Sequence, residues 1–172
     1  MLAFETFLRS DIQSIVKGDS FWELRLSQLS SSDYCPFALH LAIFVEPYLQ
    51  FVLDGKKTIE SRFATRRYVP YKQVNVGDVV LLKRSSGPIV GICEIAAVWF
   101  YRLDAKSWST IKKEFAQALC AQDPNFWQSR QRASYATLMR LHHVRSIPPI
   151  KFTKRDRRGW VLLRSRNSLF HL

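Results

Sequence analysis

The sequence predicts an α+β fold, with helices flanking a small set of short strands and a helical extension in front. Three observations predict it. Apolar runs at 37–44, 79–84 and 89–99 are bounded by turn residues, the pattern of buried strands. Apolar residues recur at helical spacing over 2–17 and 107–120. Between the first strand and the later ones, Gly55-Lys56-Lys57-Thr58-Ile59-Glu60-Ser61-Arg62 passes from a helix end into a strand within one turn.

In the extension, residues 1–36, the residues Phe4, Leu8, Ile12, Ile15 and Val16 share one helical face, and Gly18 closes that helix. Ser20-Phe21-Trp22-Glu23 has capping-box spacing for a second short helix through Leu29, although Trp22, Leu24 and Leu26 also alternate like a strand. Ser30-Ser31-Ser32-Asp33 reads as a linker. The apolar face of the extension is expected to pack on the remainder, residues 37–172, because uncovered apolar stripes are rare.

Phe37–Phe44 forms the first strand, with His40 expected to be a satisfied core histidine. Residues 45–53 form a short helix with Pro47 in its first turn, ended by Asp54-Gly55. From Thr58 the side chains alternate, so Glu60 and Arg62 share a face, and Lys57 at the junction is free to turn toward it. Residues 64–72 lack periodicity and form a loop in which Arg66, Arg67 and Lys72 are interleaved with Tyr68 and Tyr71. Bases that meet phosphates beside rings that stack on unpaired bases are the mixture used for single strands. Val76-Gly77-Asp78 turns into the strand at 79–84, and Ser85–Pro88 turns into its long partner at 89–99, where Gly91 permits a bend and Glu94 calls for a basic partner. The helix at 107–120 carries Glu114 at the edge of its apolar face, and Asp123-Pro124 starts a further helix to about Leu141 bearing Arg130, Arg132 and Arg140. A basic hairpin at 153–159, including Arg157 and Arg158, precedes a closing strand at Trp160–Leu163.

Hydrophobic residues at 47% and charged ones at 23% are ordinary for a soluble globular protein. The sign of the charge is not ordinary: 26 Lys and Arg against 14 Asp and Glu give +12. The extension holds three bases and five acids, a net of −2, which leaves +14 on residues 37–172. Such an excess suits a polyanion, with nucleic acid favoured over a membrane because no basic amphipathic helix dominates. Cys35, Cys93 and Cys120 have no paired spacing and are expected to be reduced in a cytoplasmic protein. The four histidines are too scattered to suggest zinc, so neither a metal nor a cofactor is expected. No apolar run reaches the length of a membrane span, and Glu5, Arg9 and Asp11 interrupt any secretory leader.

The spacing Gly55-x-Lys57-x-x-Glu60-x-Arg62 resembles the G-x-K-x-x-E-x-R signature of the ASCH domain family, and the preceding helix and the later Val-Gly-Asp turn agree with it. The resemblance spans roughly residues 37–163 and implies a small PUA-like mixed β-barrel flanked by helices. It also implies a pocket for RNA, another single-stranded nucleic acid or a nucleotide. Lys57 and Arg62 would then meet phosphate or base acceptors, and Glu60 a base amino group, with Arg66, Arg67, Tyr68, Lys72, Arg157 and Arg158 as the basic rim. Some relatives imply an alternative, hydrolysis of an acylated cytidine such as N4-acetylcytidine, for which Lys57, Glu60 and Glu114 are the candidates. Those hydrolases carry a Thr where this chain has Glu60, and Glu114 corresponds only by distance along the chain. A metal-dependent nuclease fits poorly, because the acids are scattered. The same Lys57, Glu60 and Arg62 also suit a plain ion-pair network holding a barrel mouth together.

Overall fold

The structure, a computed structural model, describes residues 14–29, 35–152 and 158–166. Helix α1 is Ser20–Ser27, followed by β1 (Leu39–Phe44), α2 (Tyr48–Leu53), β2 (Ile59–Ala64), β3 (Val79–Arg84) and β4 (Ile89–Arg102). Then come α3 (Ala105–Phe115), α4 (Pro124–Gln128), β5 (Tyr135–Ile150) and β6 (Trp160–Arg164). The strands form one curled, six-stranded half-barrel in the order β2-β5-β4-β3-β1-β6. Strands β1 and β3 run parallel and every other pairing is antiparallel, so the sheet is mixed as expected.

Local sequence accounts for most of these elements. Strands β1 and β3 are buried almost throughout, matching their unbroken apolar runs. Gly55 ends α2 at φ +72° and Gly77 turns into β3 at φ +83°, conformations that side chains resist. Helix α3 starts with a reciprocal cap between Asp104 and Ser107. The N-cap of α1 is Asp19, one residue before the expected Ser20, and Glu23 accepts from the Gly18 amide at 2.7 Å.

Of the expected helix over 2–17, residues 1–13 lie outside the described residues, as does the linker at 30–33. The described part of the extension packs on the sheet: Val16, Trp22 and Leu26 share a core with Leu39, Leu41 and Val79. Arg25 reaches Glu94 at 3.2 Å, the basic partner that the buried strand called for.

One expectation is overturned. The helix running from Asp123 to about Leu141 is only the five residues of α4, and β5 begins at Tyr135. Ala136, Thr137, Leu138 and Met139 are all buried, because β5 is covered on both faces while pairing with β2 and β4. A strand buried on both sides carries no alternation for the sequence to display, and its two ladders override the helical preference of Leu, Met and Ala.

His40 is the satisfied core histidine expected. Its Nδ1 lies 3.1 Å from the indole Nε1 of Trp160, and its Nε2 lies 3.2 Å from Asp78 Oδ2. An indole N–H only donates, so Nδ1 accepts and carries no proton. The single proton therefore sits on Nε2 and is donated to Asp78.

Candidate functional site

The signature strand reaches the site through two supports. The amides of Thr58 and Ile59 both donate to Ala118 O, beyond the end of α3, at 3.0 and 3.1 Å, so that segment docks on the start of β2. The Lys57 amide donates to Phe51 O in α2 at 2.9 Å. Lys57 is thereby turned inward, and its side chain is only 2% exposed.

The Lys57 ammonium donates to Ile59 O at 2.6 Å and Leu119 O at 3.2 Å, and lies 3.4 Å from Glu60 Oε2. An ammonium has three N–H groups, and three protein acceptors meet them. Burial pulls the Lys57 amine below its ordinary value, while the Glu60 carboxylate opposes that shift. Glu60 in turn brings Oε1 to 2.9 Å from Arg62 Nε, a close ion pair whose N–H is not aligned as a hydrogen bond.

Arg62 reaches further. Its Nη1 donates to Gly159 O at 3.1 Å and its Nη2 to Ile43 O at 3.0 Å, with the guanidinium 5.2 Å from the Phe44 ring and 5.3 Å from the Trp160 ring. The two carbonyls belong to the β1–β6 side of the sheet, whereas Arg62 belongs to β2 at the opposite edge. One side chain thus spans the mouth of the half-barrel.

Beside this chain of charges lies an open cavity of about 510 Å³. Lys57, Glu60 and Arg62 supply its polar wall, and Tyr48, Phe63 and Phe126 an aromatic one. Arg130 stacks on Phe126, 3.8 Å from the ring centre, and donates from Nη1 to Phe126 O at 2.7 Å and to Ser129 Oγ at 3.0 Å. Burial lowers the Arg130 pKa, Tyr48 and Glu60 counter the shift, and Arg62 adds to it. A smaller cavity of about 200 Å³ continues from Arg62 and Phe63 to Tyr68, Tyr71 and Tyr135. Another of about 300 Å³ joins Tyr68 to Arg158 and Trp160. The only acid among the residues lining the main cavity is Glu60, already placed between two cations, so this donor set does not suit a hard metal ion.

The structure therefore brings Lys57, Glu60 and Arg62 together, with Tyr68 and Arg158 along the adjoining groove. Arg66, Arg67 and Lys72 are exposed on the loop after β2, where the Arg67 guanidinium lies 5.5 Å from the Tyr135 ring. Arg157 lies outside the described residues. Glu114 is exposed on α3, where it adds to burial in raising the Tyr101 hydroxyl pKa, and it is not among the residues lining the cavity. Arg130 and its aromatic seat were missed as site residues. Asp123-Pro124 marked the start of α4, and the cluster Phe126-Trp127-x-x-Arg130, which begins in that helix and ends just past it, was the available signal.

Comparison with known proteins gives the family and the fold. The family model for the ASCH domain matches residues 43–148. No curated protein matches the chain. Among solved structures, ASCH from Zymomonas mobilis superposes with a TM-score of 0.60 at 14% identity, covering 74% of this chain and 88% of that one. Two single-residue variants of the same Zymomonas mobilis protein give the same TM-score and identity, covering 74% and 75% of this chain and 91% and 90% of theirs. At that identity the likeness speaks for the fold alone. With more than half its length matched by the family model, and with the signature residues converging on one cavity, the chain belongs to the ASCH domain family.

Proposed function

We propose that the protein binds single-stranded RNA, seating one nucleotide in the main cavity and leading the strand along the groove past Tyr68. The observation that carries this reading is the continuity of the cavity with that groove across Arg62, with basic and aromatic side chains along both. A volume of about 510 Å³ falls in the range of small-ligand sites. Arg62 and Arg130 hold N–H groups beyond those given to protein acceptors, and these meet phosphate or base oxygens. Glu60 accepts from a base amino group, and Tyr68, 59% exposed, offers a stacking face. Lys57, its three N–H groups already engaged, positions Glu60 instead of touching the ligand. Arg66, Arg67, Lys72 and Arg158 supply the electrostatic rim.

Fluorescence anisotropy with a labelled single-stranded RNA across a salt series tests the reading. Arg130→Ala should weaken binding, and Arg66→Ala with Arg67→Ala should flatten the salt slope by about 0.7 for each phosphate no longer neutralised. Affinity and slope unchanged in both variants would remove cavity and loop from the interface.

Hydrolysis of an acylated cytidine is the second reading, favoured by one observation: a buried lysine of lowered basicity in the cavity wall suits acid–base work. Its requirement is Lys57-dependent release of acetate from N4-acetylcytidine by purified protein.

A further inference from the structure

We propose that Glu94, His142 and His143 form a binding site for a divalent transition-metal ion of the zinc, nickel or copper class. None of the three is among the residues lining the main cavity, so the site stands apart from the nucleotide reading. Glu94 on β4 and His142 on β5 are register partners, beside a shift in pairing between Ile92 and Glu94. In a regular strand His142 and His143 would point to opposite faces. Here His143 adopts φ +48°, and the two rings come together with centres 4.2 Å apart, both residues exposed. Left-handed backbone at a histidine within a strand costs free energy, and such positions gather at functional sites.

One ligand atom from each of the three residues lies within 4.8 Å of the others. A tetrahedral shell with metal–nitrogen bonds of about 2.0–2.1 Å separates its donors by about 3.4 Å, so small side-chain rotations complete the set. The seat is braced: Phe21 stacks on the His143 ring at 3.6 Å and 18°, and Trp22 Nε1 donates to His143 O at 3.1 Å. Glu94 already faces a cation, since Arg25 lies 3.2 Å away, and the metal ion would compete with that guanidinium. Two imidazoles and one carboxylate, with further positions open, suit borderline transition metals, whereas magnesium and calcium prefer all-oxygen sites. Phe21, Trp22 and Arg25 all belong to α1, so occupancy of the site couples to the way the extension sits on the sheet.

Titration calorimetry of the untagged full-length protein with zinc, nickel and magnesium chlorides tests the proposal. One equivalent of zinc or nickel should bind and magnesium should not. Binding should be abolished in His142→Ala and in His143→Asn, the latter because asparagine tolerates the left-handed backbone, and weakened in Glu94→Gln. Circular dichroism of the metal-free variants establishes folding, and either imidazole variant decides alone if the other fails to fold. Absence of saturable zinc or nickel binding, or binding equal in wild type and all three variants, overturns the site.

Discussion

Lys57→Met keeps the volume of the side chain but removes a charge that is 2% exposed, leaving Glu60, 7% exposed, with Arg62 as its remaining cation. Breaking one side of a buried pair costs about 3–5 kcal/mol, which for a chain of this size lowers the melting temperature by about 6–20 °C. Glu60→Gln should cost a similar amount, because it strands the buried ammonium. The double variant should recover about 2 kcal/mol relative to the sum of the singles, since each partner's cost is the orphaning of the other. Urea denaturation followed by circular dichroism measures all four corners of the cycle. The pH dependence supplies a second check. The Lys57 amine is lowered from 10.5 in the folded chain, so between that lowered value and 10.5 the unfolded chain binds more protons. Wild-type stability should therefore carry a component that rises with pH across that window, and Lys57→Met should lack it. Additive single costs, or singles each below about 1 kcal/mol, would show that the network is not the internal support of the cavity wall.

Other positions give equally direct readings. Burial raises the Asp78 carboxyl, but hydrogen bonds from His40, Ala38 and Asn75 outweigh it and hold the group below 3.8. That contribution is present above pH 3.8 and lost as pH falls through the lower folded value, so Asp78→Asn should flatten the acid limb of a stability–pH curve. Trp160→Phe takes the indole donor away from the buried His40 Nδ1, which should cost about 1 kcal/mol in urea denaturation. Trp22→Ala deletes a side chain that is 1% exposed and should cost about 3–5 kcal/mol in thermal melts, detaching α1 from the sheet.

What the sequence disclosed was whatever is decided locally. Gly55 ends α2 because its backbone must be left-handed there, and strand parity alone puts Glu60 beside Arg62. Lys57 could be placed at the junction, but not its acceptors, since Leu119 O is contributed from 62 residues away. β5 was hidden for the same reason: its conformation is imposed by neighbours from both sides, and Arg130 was carried along on the wrong element. The meeting of Glu94 with His142 and His143 depends on a pairing register and one left-handed residue, neither of which leaves a mark in composition or spacing.

Arg62 also acts as a tether. It stands on β2, one edge strand of the sheet, and holds Ile43 O on β1 and Gly159 O just before β6, the other edge strand. Gly159 O also accepts from the Ile43 amide at 2.9 Å, so the guanidinium grips the far side of the sheet at a point where its own ladder is closed. One side chain therefore sets the width of the opening, and its loss would free the two edges to move apart. Arg62→Ala should speed amide exchange in β2 and β6, so a fall in its affinity would report a wider opening as well as a lost contact.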